Sequence, residues 1–146
     1  MKNKKPNILF FSTYPPRECG IATYTKNLID SIDKSKVNIE VVAINDQKYK
    51  YDPIVKYEID QQKKSDYVKL AQKINVSSID VASIQHEFGI FGGFNGRMIL
   101  DFLKHLKKLP MQLDGLSNIQ KHVISWKIKH IVMLELKLGR KLPENI

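Results

Sequence analysis

The sequence is short of cysteine, of glycine signatures and of long apolar runs, and each shortage closes off a class of explanation. A single cysteine, Cys19, permits no intramolecular disulfide, so the fold must rest on an ordinary core, as suits a reducing compartment. No stretch approaches the ~20 apolar residues of a membrane span. The apolar run at residues 8–11, behind a lysine-rich start, is too short for a signal-peptide core and has no cleavage site after it. These absences make the cytoplasm the expected location. There is no GxGxxG fingerprint, no GxxxxGK[ST] loop, no HExxH, no cysteine–histidine zinc spacing and no GxSxG elbow. Dinucleotide, P-loop, zinc and serine-hydrolase chemistry therefore lack their usual carriers, and neither a metal nor a resident cofactor is expected. Internal repeats and low-complexity tracts are absent as well.

What is present suits one soluble α/β domain. The 146 residues are enough for one domain and too few for two ordinary ones. The net charge of +9 admits nucleic acid, an anionic membrane surface or a phosphorylated substrate as partner. The excess is mostly lysine and is spread along the chain, without the arginines and interleaved aromatics of a nucleic-acid face. Nucleic acid is therefore not expected, and weak association with a membrane surface stays open.

The apolar pattern alternates between strand and helix. NILFFS at residues 7–12 reads as a buried strand, stopped by Tyr14-Pro15-Pro16. A helix is predicted over 21–33, its stripe formed by Tyr24, Leu28, Ile29 and Ile32. The β-branched run at 37–44 reads as a second strand, which completes a βαβ unit and a parallel sheet. A loop at 45–53 and a short strand at 54–59 follow. A helix over 65–76 is expected to be capped by Ser65. A strand from 81 runs into Gln85-His86-Glu87-Phe88, then a loop over 89–96 and an amphipathic helix over 97–108 carrying Ile99, Phe102, Leu103 and Leu106. Beyond Pro110 a helix at 119–128, a strand at 131–134 and a helix at 135–145 are predicted. The fold class is α/β, a Rossmann-like parallel sheet flanked by helices.

Two loops follow strands at what should be the carboxyl edge of that sheet, where doubly wound folds bind ligands. In the first, Arg17 offers a fork suited to phosphate, Gly20 permits close backbone approach, the amide of Ile21 opens a helix and Thr23 adds a hydroxyl. Gly20 would serve an ordinary turn equally well. Cys19 near a helix N-terminus is a possible nucleophile with no identified base, and it fits an inert packing role better. In the second loop, His86 and Glu87 could act as acid, base or hydrogen-bonding groups, and Gly92 and Gly93 could bring backbone amides to a substrate. Neighbours on a strand face opposite ways, so His86 and Glu87 would not share a task.

These two segments, ILFFSTYPPRECGIATYTKNLIDSI and IQHEFGIFGG, resemble the GT-B glycosyltransferases of family 4, the group-1 transferases, over residues 7–108. IVMLELKLGRKL resembles a later part of the same domain. The resemblance implies the N-terminal half of a GT-B fold, which mainly binds the acceptor. A C-terminal domain would bind the nucleotide-sugar donor as co-substrate. Sugar transfer to a saccharide or lipid-type acceptor would usually retain configuration and need no metal. Residues 17–23 would lie against the donor phosphates or the acceptor. His86, as the catalytic candidate, and Glu87 would line the cleft.

The chain departs from the family pattern after Leu109-Pro110. Members usually carry a Thr-x-His-Thr type motif there, and this chain reads Met111-Gln112-Leu113-Asp114-Gly115. The paired glutamates of the donor domain, eight positions apart, have no counterpart, since Glu135 and Glu144 are nine apart and flank a proline. The expectation is a single truncated acceptor-side domain over 1–146, inactive alone: a gene fragment, a split product served by a separately encoded donor domain, or a degraded copy. The alternative is a non-catalytic module that binds a phosphate or nucleotide ligand.

Overall fold

A computed structural model describes residues 4–85 and 89–107. Four strands, β1 (Asn7–Ser12), β2 (Asn38–Asn45), β3 (Val55–Asp60) and β4 (Val81–Ile84), form one sheet in the order β3-β2-β1-β4. Every pairing is parallel. Three helices, α1 (Gly20–Asp30), α2 (Lys64–Asn75) and α3 (Ile99–His105), flank the sheet, and a 3-10 turn at Phe94–Gly96 precedes α3. The architecture is a Rossmann-like α/β layering.

The layering follows from strands buried on both faces, which read as unbroken apolar runs rather than alternating ones. In β1, Leu9 and Phe11 face one way and pack with Val42, Ile44 and Ile59 beneath α2 and α3. Ile8 and Phe10 face the other way and pack with Val41, Ala43 and Ile29 beneath α1. Phe11 is the centre of the larger core: its ring lies edge-on to Phe102 at 4.9 Å and to Phe91 at 5.7 Å. Fully burying each such side chain contributes roughly 1.5–3 kcal/mol.

The strands near 7–12, 37–44 and 81–84 lie together as expected. The strand at 131–134 and the helices at 119–128 and 135–145 lie outside the described residues. Four details differ from the sequence reading. The buried stripe of α1 is Ala22, Thr25 and Ile29, while Tyr24 is exposed. The helix is rotated because Thr25 turns inward to the buried hydroxyl of Ser12, 2.8 Å away. Ser65 does not cap α2; Lys63 stands at that position and makes no side-chain cap. β4 stops at Ile84. The helix α3 starts at Ile99, after αR backbone at Arg97 and Met98, and ends at His105, where Asn75 donates to the His105 carbonyl at 2.8 Å and accepts from the Lys107 amide at 2.7 Å.

Candidate functional site

Because all four strands are parallel, the loops at 13–19, 46–54, 61–63 and 85–93 leave from one edge, the carboxyl edge. β1 and β4 are neighbours, yet their onward connections go to opposite faces, to α1 on one side and α3 on the other. That is the switch point of the sheet, the place where doubly wound folds bind ligands. The two loops singled out in the sequence are those that border it.

The loop after β1 is held by Arg17, whose side chain is only 11% exposed. Its Nη1 donates to the Ile44 carbonyl at 2.9 Å and its Nη2 to Gln61 Oε1 at 3.1 Å, with Asp46 3.8 Å from Nε. The guanidinium therefore reaches across the edge to the ends of β2 and β3 rather than outward. Asp46 also accepts the Tyr49 hydroxyl at 2.8 Å. That bond holds its carboxyl below the usual range, with Arg17 adding a smaller share. Burial pushes the nearby Tyr51 hydroxyl up, with Glu58 as the next contributor. Tyr51 donates to Asn45 at 2.6 Å.

At the N-terminus of α1 the capping side chain is Cys19. Its sulfur lies 3.1 Å from Thr13 Oγ1 and accepts from the Ala22 amide at a long 3.4 Å. The Gly20 and Ile21 amides meet no acceptor among the described residues. Gly20 is exposed, has no left-handed φ, and a Cβ built on it would meet nothing within 4 Å. Neither backbone conformation nor neighbouring atoms require glycine there, so the space in front of it stays open. Thr23 is exposed as well, its hydroxyl 3.4 Å from the Cys19 carbonyl. Ile21 is half-buried and packs against the core beneath α2 and α3.

Gly92 and Gly93 differ from Gly20. Gly92 is buried, and a Cβ there would fall 1.8 Å from the Gln61 carbonyl oxygen. Its amide donates to the Tyr67 hydroxyl at 3.1 Å. Gly93 has φ +78, the left-handed region that favours glycine, and its amide donates to Gln62 Oε1 at 3.2 Å. Both amides thus go to protein acceptors. His86 and Glu87 lie outside the described residues.

Sequence reasoning missed Gln61, the residue that joins these parts. Its side chain accepts from Arg17 and donates to the Gly89 carbonyl at 2.9 Å, bridging the loops after β1 and β4. Its amide donates to the Asn45 carbonyl at 2.8 Å, and its own carbonyl accepts from Tyr67 at 2.9 Å. Tyr67 is fully buried, and burial pushes its hydroxyl up to about 12. Nothing in QQKK at 61–64 signals such a hub. The loop after β4 is also seated by Ile90 and Phe91, at 4% and 2% exposure. Their apolar character was the one available signal that this loop turns into the core.

Among the described residues no three His, Cys, Asp or Glu side chains gather into a metal site, and no helix is long and apolar enough to cross a membrane. Comparison with known proteins finds no match to a family model, to a curated protein or to a solved structure.

Proposed function

We propose that this chain is the N-terminal, acceptor-side portion of a retaining GT-B glycosyltransferase of family 4, working in the cytoplasm with a nucleotide-sugar donor and a saccharide or lipid-type acceptor. One observation carries the reading. The two segments that resemble that family leave the neighbouring strands β1 and β4, and Gln61 ties them together by bonding Arg17 and Gly89. In this reading the open Gly20 Cα and the Gly20 and Ile21 amides receive a phosphate oxygen at the positive end of α1. Thr23 supplies a hydroxyl beside them. Arg17 is a positioning residue that holds the loop against β2. Gly92 and Gly93 shape the opposite wall, and His86, in the same loop, is the catalytic candidate, with Glu87 as a substrate-binding one. The donor's diphosphate needs a second wall, supplied by a donor domain. Holding both substrates in one geometry supplies roughly 7–11 kcal/mol of the barrier reduction, so the chain alone should not turn over.

The test is incubation of the purified chain with a panel of nucleotide sugars and saccharide or lipid acceptors, with and without a separately expressed donor domain. Transfer that appears only with the donor domain and is lost in His86→Ala supports the reading. Turnover by the chain alone that His86→Ala abolishes would show this half to be sufficient. The second reading is a binding module for a phosphate or nucleotide. The open Gly20 and its two amides favour it, since they are complete within this domain. Saturable nucleotide binding with no transfer under any pairing would select it.

A further inference from the structure

We propose that the pocket between α2 and α3 is a binding site for a phosphate group, distinct from the N-terminus of α1. It encloses about 210 Å³ and is lined by Lys64, Gly93, Arg97, Leu100, Asp101 and Lys104, with Met98 beside them. Three of these side chains are cations and one is an acid.

The arrangement is built by the fold. Arg97 is already helical, with φ −63 and ψ −17, so residues 97, 101 and 104 recur at steps of four and three and share one face. Lys64, at the start of α2, reaches across to Asp101 at 3.3 Å. Asp101 thereby neutralises one cation and holds it at the wall. Arg97 and Lys104 form no ion pair among the described residues. Gly93 gives Arg97 its seat: a Cβ at Gly93 would stand 3.0 Å from Arg97 Cγ and 3.3 Å from Met98 Cγ. The arginine stem lies over a bare α-carbon, which leaves the guanidinium to the pocket. A planar fork beside a flexible ammonium is the donor set that suits a phosphate, with two or more oxygens to satisfy. Liquid water takes roughly 30 Å³ per molecule, so the volume holds such an ion with part of its hydration.

A second surface pocket, between β3 and α2, provides an internal contrast. Its volume is about 200 Å³, and it sets three cations, Lys56, Lys69 and Lys73, against two acids, Glu58 and Asp66. It lacks an arginine. Of the two, the α2–α3 pocket is the one with a guanidinium fork and with three cations to a single acid.

The phosphate could belong to a free anion or to a lipid headgroup, and two experimental arms separate these. In the first, inorganic phosphate is titrated into the full chain and followed by amide NMR shifts. In the second, the chain is sedimented with phosphatidylcholine vesicles with and without phosphatidic acid. Saturable phosphate binding with shifts at Lys64, Gly93 and Lys104 is expected. Arg97→Ala or Lys104→Ala should each weaken it about tenfold, the loss of one charge-assisted hydrogen bond. Arg97→Lys should fall between. Vesicle binding that needs phosphatidic acid and Arg97, without uptake of the free ion, assigns the site to a headgroup. The control is Lys34→Ala with Lys36→Ala, whose ammonium groups pair with Asp30 and Asp33 at the far end of α1. Failure in both arms overturns the proposal. So does an equal loss in the control, because binding would then follow net charge alone. Lys104 is exposed and removable without a packing defect, so the test survives if Arg97→Ala fails to fold. No arm requires sugar transfer, so the result is independent of the glycosyltransferase reading.

Discussion

Gly92→Ala should disrupt the domain, while the same change at Gly20 should leave it intact. A methyl at Gly92 would sit 1.8 Å from the Gln61 carbonyl oxygen and 2.8 Å from its carbonyl carbon. Met98 Sδ, also at 2.8 Å, can swing aside, but the carbonyl cannot. It is fixed by the Tyr67 hydroxyl at 2.9 Å, and its residue's amide is fixed by Asn45 at 2.8 Å. An ordinary carbon–oxygen contact needs ~3.3 Å or more, so the two segments must part by roughly 1.5 Å. That displacement stretches the Gly92–Tyr67 and Gly93–Gln62 hydrogen bonds together. Overpacking costs about 1–3 kcal/mol and a buried donor left open about 1–3 kcal/mol more, which puts the total at about 2–6 kcal/mol. For a chain of 146 residues about 1 kcal/mol moves Tm by roughly 4 °C, so a fall of at least ~8 °C is expected in a thermal melt followed by circular dichroism. At Gly20 there is no clash and no left-handed φ, so alanine should stabilise by about 0.4–1 kcal/mol through the unfolded chain. A Gly92→Ala protein melting within ~3 °C of wild type would refute the packing of the loop after β4 against the turn after β3.

Three further outcomes follow from the same contacts. Tyr67→Phe leaves the Gly92 amide and the Gln61 carbonyl without the hydroxyl between them, and should lower the urea midpoint by an amount equivalent to about 1–3 kcal/mol with m unchanged. Burial holds the Tyr67 hydroxyl at about 12 against an ordinary 10.0, so the unfolded chain ionises first. Stability present below pH 10 should then fall as the pH rises towards 12, and less steeply in Tyr67→Phe, as urea midpoints across that window will read. Ser12→Ala and Thr25→Val should each cost about 1–2 kcal/mol by stranding the partner's buried hydroxyl, while the double variant should cost clearly less than their sum in a double-mutant cycle.

Much of the scaffold was legible in the sequence because its signals are local. β1 and β2 are apolar on both faces, which only a sheet covered on both sides tolerates, and the polar breaks at 13–19 and 45–53 mark where they end. Parallel pairing followed from the intervening helix, and with it the placement of both loops at the carboxyl edge. The glycines at 20, 92 and 93 were visible as candidates, but their reasons were not. A glycine that leaves room for a ligand and one that makes room for a neighbouring carbonyl are the same letter.

The tertiary structure decided what depends on partners distant in sequence. Arg17 meets Ile44 and Gln61, 27 and 44 residues away, so its commitment to the edge of the sheet was invisible to any local pattern. Thr25 broke the apolar stripe of α1 and turned inward only because Ser12 waited at the end of β1. Gln61 reads as one more polar residue until the fold brings three strand ends to it. Hydrophobic periodicity reports which side of an element faces the core. Hydrogen-bond partners across the sheet edge are set by strand order, and strand order appears only once the chain has closed on itself.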